Sequence, residues 1–219
     1  MVFISHKDKF VFIACARTGS YTNYNELIKN YNIPEKGITN HKDLTFMGLD
    51  SLPDIFHTSI ENVYNKFNNL EHNLDNYFKY AFVRNPWARF VSLARYTSYC
   101  ADRSNEPGFR WAKPMLEFKT FEEFCKGFEK SSLKTESHFF PYTQQLFIDG
   151  KCKMDYIGRL EKMNEASKII NDKTGLNIVY PKQTNLNQNY EYRKYYNEET
   201  KNIIGNYYKD DIEHFKYTF

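Results

Sequence analysis

Two stretches of this sequence combine fixed positive charge with groups that could cradle an anion. The first is Arg17-Thr18-Gly19-Ser20-Tyr21-Thr22. Arg17 supplies a permanent charge, Ser20 and Thr22 supply hydroxyl donors, and Gly19 allows the backbone to come close to a bound group. A helix beginning here would add outward-pointing backbone N–H groups and the positive end of its dipole. This is the outline of a phosphate cradle. It is not a Walker A loop, because G-x-x-x-x-G-K-[ST] is absent. Turns of this composition are common in α/β proteins, so the stretch acquires meaning only beside the second, Arg84 with Ser92. Arg84 can grip a phosphate with two parallel hydrogen bonds, and Ser92 adds a hydroxyl. Two anion sites suit a nucleotide that carries two separated acidic groups. His57 stands directly before a helix-start signal. Among the other histidines (His6, His41, His72, His138 and His214), His41 is the reserve for any role that needs an imidazole.

These residues must be positioned by the elements around them. Phe10 to Ala14 is a short apolar run of the kind that forms a strand buried on both faces. The Arg17 stretch follows it, and a helical pattern runs near Asn23 to Tyr31, so strand, glycine-containing loop and helix open an α/β unit. Tyr80 to Val83 reads as a second buried strand. Asn85 is a good N-cap, and Pro86 fits the first helical position of a helix to about Tyr99. Arg84 therefore falls at the carboxyl end of a strand, where α/β sheets bind ligands. Thr58 and Glu61 form a capping box for a helix whose apolar face is Ile60, Val63, Tyr64 and Phe67. Residues 101–119 contain Pro107, Gly108 and Pro114 and read as a long surface loop. Thr120 with Glu123 opens another helix. Tyr156 and Ile157 suit a short inner strand, and Gly175 ends a helix over Glu161 to Thr174. Asn197 caps a last helix with Ile203, Ile204, Tyr207 and Tyr208 on its apolar face, continued by Ile212 and Phe215.

The 219 residues suit one domain, residues 1–219, with no linker or repeat to divide it. Alternating strands and helices imply an α/β fold: a three-layer α/β/α sandwich around a central, mostly parallel sheet. The net charge of +3 is too small for nucleic acid to be a bulk partner. The four cysteines, Cys15, Cys100, Cys125 and Cys152, form no CxxC pair and have no histidines at zinc-binding spacing, so free thiols and no metal are expected. The start of the chain lacks the apolar stretch of a signal peptide, and no run is long enough for a membrane span. A cytoplasmic protein or a soluble catalytic fragment is the expectation.

The residues from Phe12 to Ser20 (FIACARTGS) resemble the 5'-phosphosulfate loop of the sulfotransferases. Those from Phe78 to Ser92 (FKYAFVRNPWARFVS) are very similar to that family's 3'-phosphate motif, with Arg84 and Ser92 at the family's spacing. Tyr156 to Glu161 (YIGRLE) and Tyr208 to Phe215 (YKDDIEHF) look like the carbohydrate sulfotransferase branch, so the resemblance spans nearly the whole chain. It implies a P-loop-like sulfotransferase fold. It also implies a reaction: a sulfuryl group passes from 3'-phosphoadenosine 5'-phosphosulfate (PAPS) to a hydroxyl, of a carbohydrate in that branch, by in-line displacement. The other product is 3'-phosphoadenosine 5'-phosphate (PAP), and no metal takes part. Arg17, Thr18, Gly19, Ser20, Tyr21, Thr22, Arg84 and Ser92 would bind the nucleotide. Arg17 would also neutralise the leaving phosphate. His57 would be the base, since a histidine precedes a similar helix in related sequences and a neutral imidazole can take the acceptor's proton. Two positions depart from the usual pattern. Arg17 stands where this branch usually has Lys; it stays charged but cannot donate a proton. Ala88 stands where an acidic residue is frequent. A catalytically silent PAP- or glycan-binding protein of the same fold is the alternative reading. A P-loop kinase is disfavoured by the missing Walker lysine and the lack of a clear magnesium-binding aspartate.

Overall fold

The computed structural model describes residues 2–31, 40–41, 44–47, 58–68, 72–180 and 191–219. They divide into two compact units, Met1–Val83 with Tyr142–Leu186, and Arg84–Pro141 with Asn187–Phe219.

The first unit carries the sheet. Its strands are β1 (Val2–Ser5), β2 (Phe10–Ile13), β3 (Asn40–His41), β4 (Leu44–Met47), β5 (Phe78–Val83) and, after the small β6–β7 hairpin (Phe147–Ile148, Lys151–Cys152), β8 (Tyr156–Arg159). The order across the sheet is β3-β4-β1-β2-β5-β8. β2 pairs parallel with β5, Ile13 opposite Ala81, and β5 pairs parallel with β8, Val83 opposite Arg159. β1 runs antiparallel to both β2 and β4, and β3 antiparallel to β4. Four strands, β2, β4, β5 and β8, thus point the same way, and the central sheet is mostly parallel and flanked by helices, as expected.

The apolar runs behave as strands buried on both faces. Phe10, Phe12, Tyr80 and Phe82 share one core with Leu27 of α1 (Ser20–Tyr31) and with Met163, Ala166 and Ile170 from the helix Met163–Thr174. The alternate residues Val11, Ile13, Ala81 and Val83 are equally buried. Lys79, the second residue of β5, is tolerated because its ammonium is paired. It lies 3.1 Å from Asp155 and donates to the carbonyls of Tyr77 and Leu74. The helix α2 (Ile60–Phe67) also belongs to this unit. Its N-cap is Ser59, whose hydroxyl accepts the Asn62 N–H at 3.2 Å. The expected Thr58–Glu61 box is therefore displaced by one residue, because Ser59 offers the same acceptor one position nearer the apolar face.

The second unit is helical. α3 (Pro86–Ala101) packs along Pro107–Glu117, which is a 3₁₀ segment burying Ala112 and Met115 rather than the irregular loop its composition suggested. Pro114 lacks the N–H that an α-helix would need there, and the segment winds instead as the tighter 3₁₀ turn packed on α3. α4 (Phe121–Gly127) starts at Thr120, whose hydroxyl accepts the Glu123 N–H at 3.1 Å. In the first unit lie α5 (Tyr142–Leu146) and α6, the helix Met163–Thr174 already introduced, which ends at left-handed Gly175. The last helical stretch is two helices, α7 (Glu198–Tyr207) and α8 (Lys209–Phe215). They break at buried Tyr208, whose hydroxyl donates to the Phe139 carbonyl at 2.9 Å. Phe90, Phe124, Phe128 and Phe139 form the aromatic centre of this unit, with ring centroids 5.1–6.0 Å apart.

Candidate active site

The Arg17 stretch lies where β2 gives way to α1. Arg17 has φ 63° and Gly19 φ 80°, while Thr18 between them has negative φ. A left-handed arginine costs on the order of 1–3 kcal/mol, and such strain collects at functional sites. Changes of hand of this kind turn successive N–H groups toward one side, as in anion-binding nests. The first bond of α1 runs from the Asn23 N–H to the Gly19 carbonyl at 3.1 Å. The N–H groups of Ser20, Tyr21 and Thr22 therefore precede the first acceptor available inside the helix.

The hydroxyls play a different part from the one their types suggest. Thr18 Oγ1 and Ser20 Oγ both donate to the carbonyl of Cys15, at 2.8 and 2.7 Å. Thr18 is 1% exposed. These two side chains tie the loop to its own start. Arg17 and Tyr21 are exposed, Thr22 partly so. Gly19 is fixed by packing as well as by its φ: a Cβ built there would lie 2.9 Å from Leu160 Cδ1 and 3.2 Å from Met163 Sδ. Asn23, fully buried, donates through Nδ2 to the Gly19 carbonyl and accepts from the Tyr180 hydroxyl. Burial pushes the Tyr180 phenol well above its ordinary range, so it stays a donor. Asn23 and the Cys15 carbonyl are parts of this site that residue type alone did not reveal. The only hint in the sequence is that Asn23 follows Gly19 by one helical turn.

Arg84 and Ser92 lie in the second unit. Arg84 follows the last residue of β5 and is half-buried, and Ser92 is half-buried on α3. Ser92 lies seven positions beyond the Asn85 N-cap, about two turns of helix, so it shares a side of α3 with that cap. Here the helix start is already served: Asn85 Oδ1 accepts the N–H groups of Trp87 and Ala88 at 3.1 and 3.3 Å. An anion at this point must be held by side chains, where at α1 the backbone offers itself. Arg89, the second arginine of the motif, is a structural group. It is fully buried, donates to the carbonyls of His138 and Phe140 at 2.9 Å each, and lies over the Tyr208 ring.

The first turns of these helices carry an electrostatic signature. Among the described α-helices of eight residues or more, α2, α6 and α7 begin with acidic side chains that offset the positive helix end. α1 and α3 have no acid in the first turn. The two α-helices without such an acid are those that follow Arg17 and Arg84. His57 lies outside the described residues, as does the side chain of His41, whose backbone is in β3. Among the described residues no group of three or more His, Cys, Asp or Glu could hold a metal, and no helix is long and apolar enough to cross a membrane.

Residues 1–218 match the model of the family described as the sulfotransferase family. The chain belongs to the sulfotransferase family. The match takes in the β2–α1 loop, the β5–α3 junction and both helices after Asn197. Sulfuryl transfer is the chemistry of this family, and the sheet described above is consistent with its α/β fold. No curated protein and no solved structure gives a significant match to the chain.

Proposed function

We propose that this sulfotransferase takes its sulfuryl group from PAPS and passes it to a hydroxyl of a carbohydrate. The observation that carries the donor assignment is the pair of α-helix starts without an acid in the first turn, each preceded by an arginine. β2 and β5 are adjacent parallel strands, one followed by Arg17 and an open helix end, the other by Arg84. In this reading Arg17 with the loop residues Thr18, Gly19, Ser20, Tyr21 and Thr22 receives the 5'-phosphosulfate. Arg84 and Ser92 receive the 3'-phosphate. The acceptor oxygen attacks sulfur in line, the bond from sulfur to the phosphate oxygen breaks, and PAP departs. The amides of the α1 start and Arg17 neutralise the charge that gathers on the leaving phosphate. Arg17 does this by charge and hydrogen bonding alone, since its guanidinium does not give up a proton. His57 receives the acceptor's proton. The carbohydrate acceptor is inferred from the YIGRLE and YKDDIEHF stretches.

Thermal denaturation with PAP, and separately with ATP and magnesium, tests the donor site. A ligand at about 100 times its Kd adds about 2.7 kcal/mol, worth about 5–10 °C in a chain of this length. A rise of that size with PAP and none with ATP is expected. No rise at millimolar PAP would remove the proposal.

A further inference from the structure

The start of α3 is held by several contacts from residues 196–219 of the second unit. Asn85 uses both ends of its amide. Oδ1 caps the helix, and Nδ2 donates to the Thr218 carbonyl at 2.8 Å. Serine, threonine or aspartate would cap equally well, but none has the second donor that reaches residue 218. Trp87, two residues on, is gripped at three points. Its indole N–H donates to the Lys201 carbonyl at 2.9 Å, and its own carbonyl accepts from the Tyr196 hydroxyl at 2.9 Å. Its ring meets the Phe219 ring edge-on at 5.4 Å. Phe219 is in turn surrounded. Tyr192 and Tyr196 stand edge-on at 5.6 Å each, and the charged ends of Lys201 and Arg193 lie 5.0 and 5.8 Å from its ring centre.

A helix start needs only its cap, and the capping bonds within 85–88 already supply that. The additional contacts fix where the start of α3 sits relative to residues 192–219, and so fix the backbone beside Arg84. We propose that Asn85, through Thr218, and Phe219, through Trp87, are positioning residues for Arg84. They hold its backbone so that the guanidinium meets the 3'-phosphate at little cost in conformational freedom. The proposal rests on the reading of Arg84 as the 3'-phosphate ligand. Its consequence is selective: loosening the lock weakens a nucleotide that has the 3'-phosphate and spares one that lacks it.

The test is calorimetric titration of the full chain with PAP and with adenosine 5'-phosphosulfate, which has no 3'-phosphate. The proteins are the parent, Arg84→Ala, Asn85→Ser, Phe219→Ala and Phe219→Tyr. Asn85→Ser keeps a cap and loses the link to Thr218. It and Phe219→Ala are expected to weaken PAP by up to about tenfold, the scale of one hydrogen bond or ring contact. Both should leave adenosine 5'-phosphosulfate unchanged, and Phe219→Tyr should restore PAP. Should Asn85→Ser fail to fold, the two Phe219 variants carry the same comparison. If Arg84→Ala loses PAP while the lock variants bind both nucleotides as the parent does, or lose both together, the positioning role is overturned. If Arg84→Ala itself binds PAP normally, the underlying assignment of the 3'-phosphate site fails instead, and the lock with it.

Discussion

Arg17 is held at φ 63°, a conformation that an arginine adopts only when its surroundings insist on it. Thr18 and Ser20, whose hydroxyls both close on the Cys15 carbonyl, brace the same turn. From the sequence these hydroxyls read as phosphate donors, because their type is visible and the direction they point is not. That direction depends on a backbone turn set by the left-handed residues at 17 and 19. The same limit applied at Asn85, legible as a cap from its place before Pro86. Its second bond, to Thr218, joins positions 133 apart, and no local pattern encodes it. Arg84 and Ser92 stand out in the sequence by their motif, and their part in binding the 3'-phosphate is the proposal made above. At this scale His57 makes the sharpest prediction. His57→Ala is expected to lower turnover about 10²–10⁴-fold and to leave PAP affinity nearly unchanged. Parent turnover is expected to rise with pH and then level off. The sign follows from the role: a base must be neutral to take a proton, and raising pH fills that form. Near-normal turnover in His57→Ala would move the role to another residue, and His41→Ala is the next variant to assay.

The elements around the proposed site were the most legible ones. β2, α1, β5 and α3 declare themselves because a buried parallel strand is a continuous apolar run and because Asn85-Pro86 punctuates a helix start. α1 begins at Ser20, three residues before its apolar pattern does, since the turn at Gly19 and not periodicity sets its start. The antiparallel strands β1, β3 and β4 gave no comparable signal. They are two to four residues long and exist through pairing with distant partners. The Pro107–Glu117 segment was misread because proline and glycine exclude an α-helix without excluding a 3₁₀ turn packed on α3. Gly19 links the loop to the packing of elements, since the start of α1 sits directly against Leu160 and Met163 at the start of α6. Gly19→Ala is expected to cost on the order of 1–3 kcal/mol from its φ alone, before the contact with Leu160 is counted. Denaturant unfolding should show a lower midpoint with an unchanged slope, and PAP binding should weaken with it. A Gly19→Ala protein as stable as the parent would contradict the packing of α1 against α6.

For the molecule as a whole, a net charge of +3 sets no strong overall field, so recognition of an anionic donor has to be local. The arrangement of charge fits that need. Acidic first turns offset the positive ends of α2, α6 and α7 and are missing from α1 and α3. In the proposed reading anions are bound at these two points, each next to an arginine at the end of a central parallel strand. A protein that only bound PAP would gain as much from this layout as an enzyme, so binding alone does not separate the two. The central claim is that the chain carries the sulfuryl group across to a carbohydrate hydroxyl. It is tested most directly by incubating the purified protein with PAPS labelled in the sulfate and a mixed panel of glycans, lipid-linked sugars and small alcohols. Label is expected to enter a carbohydrate acceptor, with an equal amount of PAP released and with both lost in Arg17→Ala. PAP binding with no label transferred to any acceptor would contradict the claim.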